Sequence, residues 1–181
     1  MVLQPEDTKL FFDNWLGLLS YVNNKHKLVK NFGQPKTPVG IKPDAIVLIK
    51  DKLWQDVSII DEYIDSVWDL PRENIQILKG WKKGVPEKYL IIKHLKKHTV
   101  FLHETKGILY GVHGITNPIA EIIPHGYLPM IVETVLLPFK EVIIYDSIFG
   151  THNISFGPSY RKHFNSMYTQ IKNKNGITTS L

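Results

Sequence analysis

Apolar residues recur at two different periods along the chain, and the change of period divides it. Leu10, Phe11, Trp15, Leu18, Leu19 and Val22 stand three and four positions apart, which predicts an amphipathic helix over residues 6 to 28. The pattern stops between Asn31 and Pro43, where Gly33, Pro35, Pro38, Gly40 and Pro43 make a loop. It resumes with Ile46, Ile49, Leu53, Val57, Ile60, Ile64 and Val67, so residues 44 to 69 read as helical, with a break near Gln55 to Ser58 where Asp56 or Ser58 can cap a second helix. A further helix is expected after Leu70, with Asp69 as cap and Pro71 in its first turn, carrying Ile75, Leu78 and Trp81 to a stop at Gly84 and Pro86.

Past Pro86 the period shortens to two. Tyr89 to Lys93, Thr99 to His103, Ile108 to His113, Met130 to Leu137 and Val142 to Ile148 are short, rich in Ile, Val, Leu and Tyr, and bounded by turn residues. They predict a meander of five antiparallel strands, with Asn117 to Tyr127 as a connection long enough to cross an end of the sheet. Helical spacing returns at Tyr160, Phe164, Met167, Tyr168 and Ile171 and ends at Asn175 and Gly176. The expected fold class is therefore α+β. A helical region, residues 1 to 85, precedes a five-stranded antiparallel sheet or small barrel in residues 86 to 181, closed by the C-terminal helix. The second region is expected to form one compact unit with residues 43 to 85.

Composition narrows the chemistry. The 181 residues are 43% hydrophobic and 22% charged, ordinary globular values that exclude collagen-like and disordered readings. With no cysteine there is no disulfide, thiolate zinc site, iron-sulfur cluster or cysteine nucleophile. Neither a cofactor nor a metal site is expected. The N-terminus has no signal-peptide order of basic then apolar segments, and no apolar run approaches the roughly 18 residues of a membrane span, so a cytoplasmic protein with no membrane partner is expected. The formal charge of +5 is uneven: residues 86 to 181 hold 10 basic against 6 acidic side chains and seven of the eight histidines.

The runs Leu90 to Leu102 and Val132 to Lys140, together with Ile143 to Asp146 followed by Asn153-Ile-Ser-Phe-Gly, resemble an uncharacterised prokaryotic domain family. Members of that family are sometimes encoded beside, or fused to, a SEC-C type zinc motif. The resemblance covers about residues 43 to 181 and implies no activity. The cysteines of a SEC-C segment are missing, so it implies no zinc site either, and Gly157-Pro158-Ser159 stands where the family has a run of glycines.

Four constellations could carry chemistry. The segment 153 to 162 combines a glycine turn with a helix start, where Ser155, Gly157, Ser159, Arg161 and Lys162 suit a phosphate or carboxylate; the plainer alternative is that Ser155 or Ser159 caps the helix. The hairpin bearing Lys93, Lys96, Lys97 and His98 suits phosphate contact, with Tyr89, Phe101 and Tyr110 on adjoining strands as stacking surfaces. His94, His98, His103, His113 and His125 crowd into 32 positions without a metal-ligand spacing. Glu133, Asp146 and His163 are the catalytic candidates, since Glu133 interrupts an apolar strand. The leading expectation is a binding or interaction module for an anionic partner, nucleic acid among them. A small hydrolase-like enzyme using carboxylate and histidine chemistry, and a docking domain for a protein partner or a second copy, are the alternatives.

Overall fold

The computed structural model describes residues 1–152 and 154–181, which form two compact units: residues 4–82, and residues 1–3 with 83–181.

The first unit holds α1 (Pro5–His26), α2 (Pro43–Gln55), α3 (Ile59–Ser66) and α4 (Arg72–Trp81). Proline at its first position and Glu6 and Asp7 in the first turn favour the start of α1; Lys25 and His26 complement its C-terminal dipole. Lys27 then takes a left-handed backbone and returns its N–H to the Asn23 carbonyl. The break expected near Gln55 is present: the Asp56 carboxylate accepts from the Ser58 N–H at 3.0 Å and from its hydroxyl at 2.6 Å. At α4, Pro71 sits one place earlier than expected, at the cap, and Asp69 makes no cap. Its ring sets the extended backbone that precedes the helix. Trp15 is the hub of this unit, with ring centroids 6.1 Å from Phe11, 6.0 Å from Trp54 and 5.8 Å from Trp81.

The second unit is a closed barrel. Its strands are β1 (Val85–His94), β2 (Thr99–His103), β3 (Ile108–Val112), β4 (Met130–Phe139) and β5 (Val142–Tyr145), with a two-residue β6 (Gly150–Thr151) and the final helix α6 (Pro158–Asn175). The meander expectation needs correction. The order is β1-β2-β3-β5-β4, closed by β4 on β1, with β6 along the free part of β4. One pairing, β3 on β5 through Val112 and Ile143, is parallel. The physical reason lies in residues 113–129, which carry the short helix α5 (Ile119–Ile122) and a 3-10 turn at His125–Tyr127. That connection delivers β4 to the far edge of β1, where seven residue pairs from Val85–Leu136 to Ile91–Met130 hold it, and the β4–β5 hairpin then lays β5 against β3.

β1 pairs β4 along Val85–Ile91 and β2 along Leu90–His94, and its register on β2 shifts between Ile91 and Lys93. Inside the barrel lie Tyr89, Ile91, Phe101, Tyr110, Val132 and Leu136, all buried. Leu90, Ile92, Val100, Leu102 and Leu109 face the other way, and Phe164 and Tyr168 of α6 pack on them. Beyond α6, Thr178 adds to β3, accepting from the Gly111 N–H at 2.8 Å and donating to the Leu109 carbonyl at 2.8 Å. Among the described residues no helix is long and apolar enough to cross a membrane.

Candidate functional site

Charge separates between the two units. Residues 4–82 carry 11 basic and 11 acidic side chains, whereas residues 83–181 carry 11 and 6, so the whole formal excess of +5 belongs to the barrel unit. From Ser147 to Leu181 there is no Asp or Glu at all.

Two cationic elements meet at one aromatic ring. Leu95 to His98 form the β1–β2 turn, closed by the Leu95 N–H on the His98 carbonyl at 2.9 Å, so Lys96 and Lys97 occupy its tip and Lys93 is the last residue but one of β1. Lys93 Nζ lies 4.8 Å from the centroid of Tyr168, and Lys172 Nζ, one turn further along α6, lies 5.6 Å from the same ring. Tyr168 has one side on the strands and carries two ammonium groups from different elements on its π system. Lys93, Lys96, Lys97, Lys162, Lys172 and Lys174 are exposed or nearly so, and none of them forms an ion pair among the described residues. The sequence pattern marked Tyr168 only as a core position, because its helical spacing from Phe164 says nothing about a lysine 75 positions away.

The helix start behaves differently from expectation. No side chain caps α6, although Ser155 and Ser159 are exposed beside it. Arg161 does not offer a free fork: its Nε donates to the Phe156 carbonyl at 2.9 Å and its Nη1 to the Leu128 carbonyl at 2.8 Å. It clasps the segment before the cis Leu128–Pro129 bond to the foot of α6. The contact between hairpin and helix falls at Tyr168, two turns beyond Arg161. Gly157 and Lys162 are exposed, and Asn153 lies outside the described residues.

The stacking role expected of Tyr89, Phe101 and Tyr110 is corrected by burial: they are 0%, 0% and 6% exposed and fill the barrel. Tyr89 meets Phe101, His103 and Tyr110 within 6.0 Å, and burial pushes its hydroxyl well above the ordinary tyrosine range. Burial, with the Asp146 carboxylate beside it, pushes Tyr145 up to about 12. These groups stay neutral and structural at any physiological pH.

The histidines spread over both ends of the barrel. His94 bridges two elements, with Nε2 donating to the Ile123 carbonyl at 2.8 Å and Nδ1 at 2.8 Å from the Thr99 hydroxyl. His125 crosses it edge to face at 4.8 Å. The His98 ring lies over Gly111, where a β-carbon would stand 2.9 Å from it. His103 Nε2 is buried 3.5 Å from the Glu87 carboxylate. Burial lowers the affinity of His94, His98, His103 and His113 for a proton. Among the described residues no group of three His, Asp or Glu converges as metal ligands.

The catalytic candidates are placed apart in character. Asp146 is fully buried and accepts the Thr134 hydroxyl at 2.8 Å. Glu133 is exposed on β4, 3.5 Å from His152 Nε2. His163 is exposed on α6 with its ring 5.7 Å from Phe164. The alternation that turns Thr134 inward turns Glu133 outward, so the two carboxylates serve opposite faces of β4.

Compared with known proteins, the chain matches no family model, no curated protein and no solved structure.

Proposed function

We propose that the protein is a binding module whose barrel unit engages a phosphate-bearing polymer, a nucleic acid, through the surface built by the β1–β2 hairpin and α6. The observation that carries this is the meeting of Lys93 and Lys172 on Tyr168, flanked by Lys96 and Lys97, on a surface whose helix has no acidic residue. Like charges gathered this closely repel one another, and a polyanion relieves that repulsion while releasing its own counterions. Small five-stranded barrels that hold oligonucleotides do so across strands 2 and 3. Here α6 covers the corresponding apolar side chains Val100, Leu102 and Leu109, which moves the accessible surface outward onto the helix.

The test is fluorescence anisotropy of labelled single-stranded and duplex oligonucleotides across a salt series. About five phosphate contacts predict a loss of affinity of roughly 10²- to 10³-fold between about 50 and 200 mM salt. Absence of binding at low salt, or an affinity flat in salt, contradicts the proposal.

A second reading rests on Trp68, which stands fully exposed at 101% between α3 and α4. Exposed tryptophan is the side chain most often found at the energetic centre of protein interfaces. Docking through the helical unit predicts that Trp68→Ala abolishes a specific protein complex while leaving oligonucleotide binding intact.

A further inference from the structure

We propose that α6 lies in the major groove of duplex DNA and reads base edges there, an inference that rests on the nucleic-acid reading above and names its substrate class. The helix has 18 residues, about 27 Å at ~1.5 Å per residue. Its inner side is set by Phe164 and Tyr168 on the barrel. At ~100° per residue the opposite side carries Lys162, Ser166, Thr169, Gln170 and Asn173, all exposed. This is an unusual outer face: five hydrogen-bonding side chains, no carboxylate and no large apolar group.

Shape selects the duplex. A helix about 10–12 Å across fits the B-form major groove, about 12 Å wide, and is too thick for the minor groove at about 6 Å. The deep, narrow major groove of A-form RNA excludes it. A single strand is held mainly by stacking on exposed aromatic rings, and the outer face of α6 carries none: Tyr89, Phe101 and Tyr110 are buried, and the exposed Tyr160 lies on the Phe164 side of the helix, its ring 6.1 Å from Phe156 and 6.3 Å from Phe164. Charge fits the two phosphate ridges that border a major groove. Lys172, with Lys93 and the hairpin lysines, stands on one flank of the outer face. Lys174 and His163 stand on the other, at helical angles on the far side of Asn173.

Chemistry fits the bases. The Thr169 hydroxyl is committed to the Asn165 carbonyl at 3.0 Å. Gln170 and Asn173 make no hydrogen bond among the described residues, so each amide presents a donor beside an acceptor, the pattern that pairs with adenine N6 and N7. Lys162, also unpaired, suits guanine O6 and N7.

The experiment incubates the full chain with a pool of duplex DNA carrying a randomised central segment, recovers bound molecules, and measures the enriched duplex against a scrambled one. The same duplexes are then titrated with the Gln170→Ala, Asn173→Ala double variant, whose fold is checked by its melting temperature. Enrichment of a short motif, and a loss of preference for it of about 5- to 150-fold per base pair in the double variant with scrambled-duplex affinity unchanged, is the expected result. No enriched motif, an unchanged preference in the variant, or equal affinity for single strands or duplex RNA overturns the groove-reading proposal. Salt-sensitive binding to scrambled duplex then still upholds the nucleic-acid reading, whereas failure to bind any oligonucleotide removes both.

Discussion

Replacing Phe164 with alanine probes the joint on which the candidate surface depends. Phe164 is 6% exposed and packs with Tyr168 on Leu90, Ile92, Val100, Leu102 and Leu109. It also meets Phe156 edge to face at 5.1 Å. Truncating a buried phenylalanine costs about 3–5 kcal/mol in transfer and cavity terms. The site lies at the rim of the unit, beside a small cavity of about 100 Å³ lined by Ile92, Leu128, Pro129 and Arg161. Water and neighbouring side chains can relax into the vacated space there, so the lower end, about 3 kcal/mol, is expected. That is about two decades in the local opening equilibrium, read as an equal loss of hydrogen-exchange protection in the amides of α6 and a lowered urea midpoint. Asn165→Ala, one residue away and exposed, is the control and is expected to stay within about 0.5 kcal/mol of the parent. If Phe164→Ala matches that control, α6 is not held by the strand face and the surface described above does not exist as a unit.

Three further outcomes follow from the same packing. Asp146→Ala removes the closer acceptor of the buried Thr134 hydroxyl, at 2.8 Å, and leaves it only the Ile148 carbonyl at 3.4 Å, so a cost of about 1–3 kcal/mol is expected by urea unfolding; no loss would mean that the pair is dispensable. Gly114→Ala places a β-carbon against the Asn117 carbonyl, a backbone atom that cannot swing aside, so about 2 kcal/mol or more of destabilisation is expected, and a neutral melting temperature would refute the tight approach. Acid sensitivity follows from the histidines. Burial holds His94, His98, His103 and His113 below their ordinary value, so the unfolded chain takes up protons first as pH falls. Stability is therefore expected to be flat above about pH 7 and to decline as pH drops through about 6.5 and below, measured as the urea midpoint; a rise on acidification would contradict the assignment.

Much of the fold was legible because burial imposes a period. Leu10, Phe11, Trp15, Leu18 and Val22 mark one face of α1 whatever they pack on, and the Asp56–Ser58 turn that breaks α2 from α3 is a local matter of two residues. The order of strands was not legible, since alternation identifies a strand but not its neighbour. The parallel contact of Val112 with Ile143 follows from where residues 113–129 deliver β4, a question of three-dimensional path. The candidate surface divides in the same way. Lys93, Lys96 and Lys97 announce a cationic turn by adjacency, and the absence of acid after Asp146 is open to inspection. Tyr168 as the ring shared by Lys93 and Lys172, and Arg161 as a clasp on two carbonyls, depend on side chains that fold beside residues distant in sequence. Tyr89, Phe101 and Tyr110 carried the opposite error, because a strand pattern does not distinguish the inside of a closed barrel from its outside.

The most direct measurement compares salt slopes. Oligonucleotide affinity is determined across a salt series for the parent chain, for Lys96→Gln, Lys97→Gln, Lys172→Gln, and for Lys27→Gln, Lys30→Gln, Lys36→Gln in the helical unit. Each lost phosphate contact removes about 0.9 from the slope of log affinity against log salt, so the barrel triple variant is expected to lose about 2.7 and the helical-unit variant almost nothing. Equal slopes in all three proteins, or a larger loss from the helical unit, would place the anion elsewhere and contradict the account.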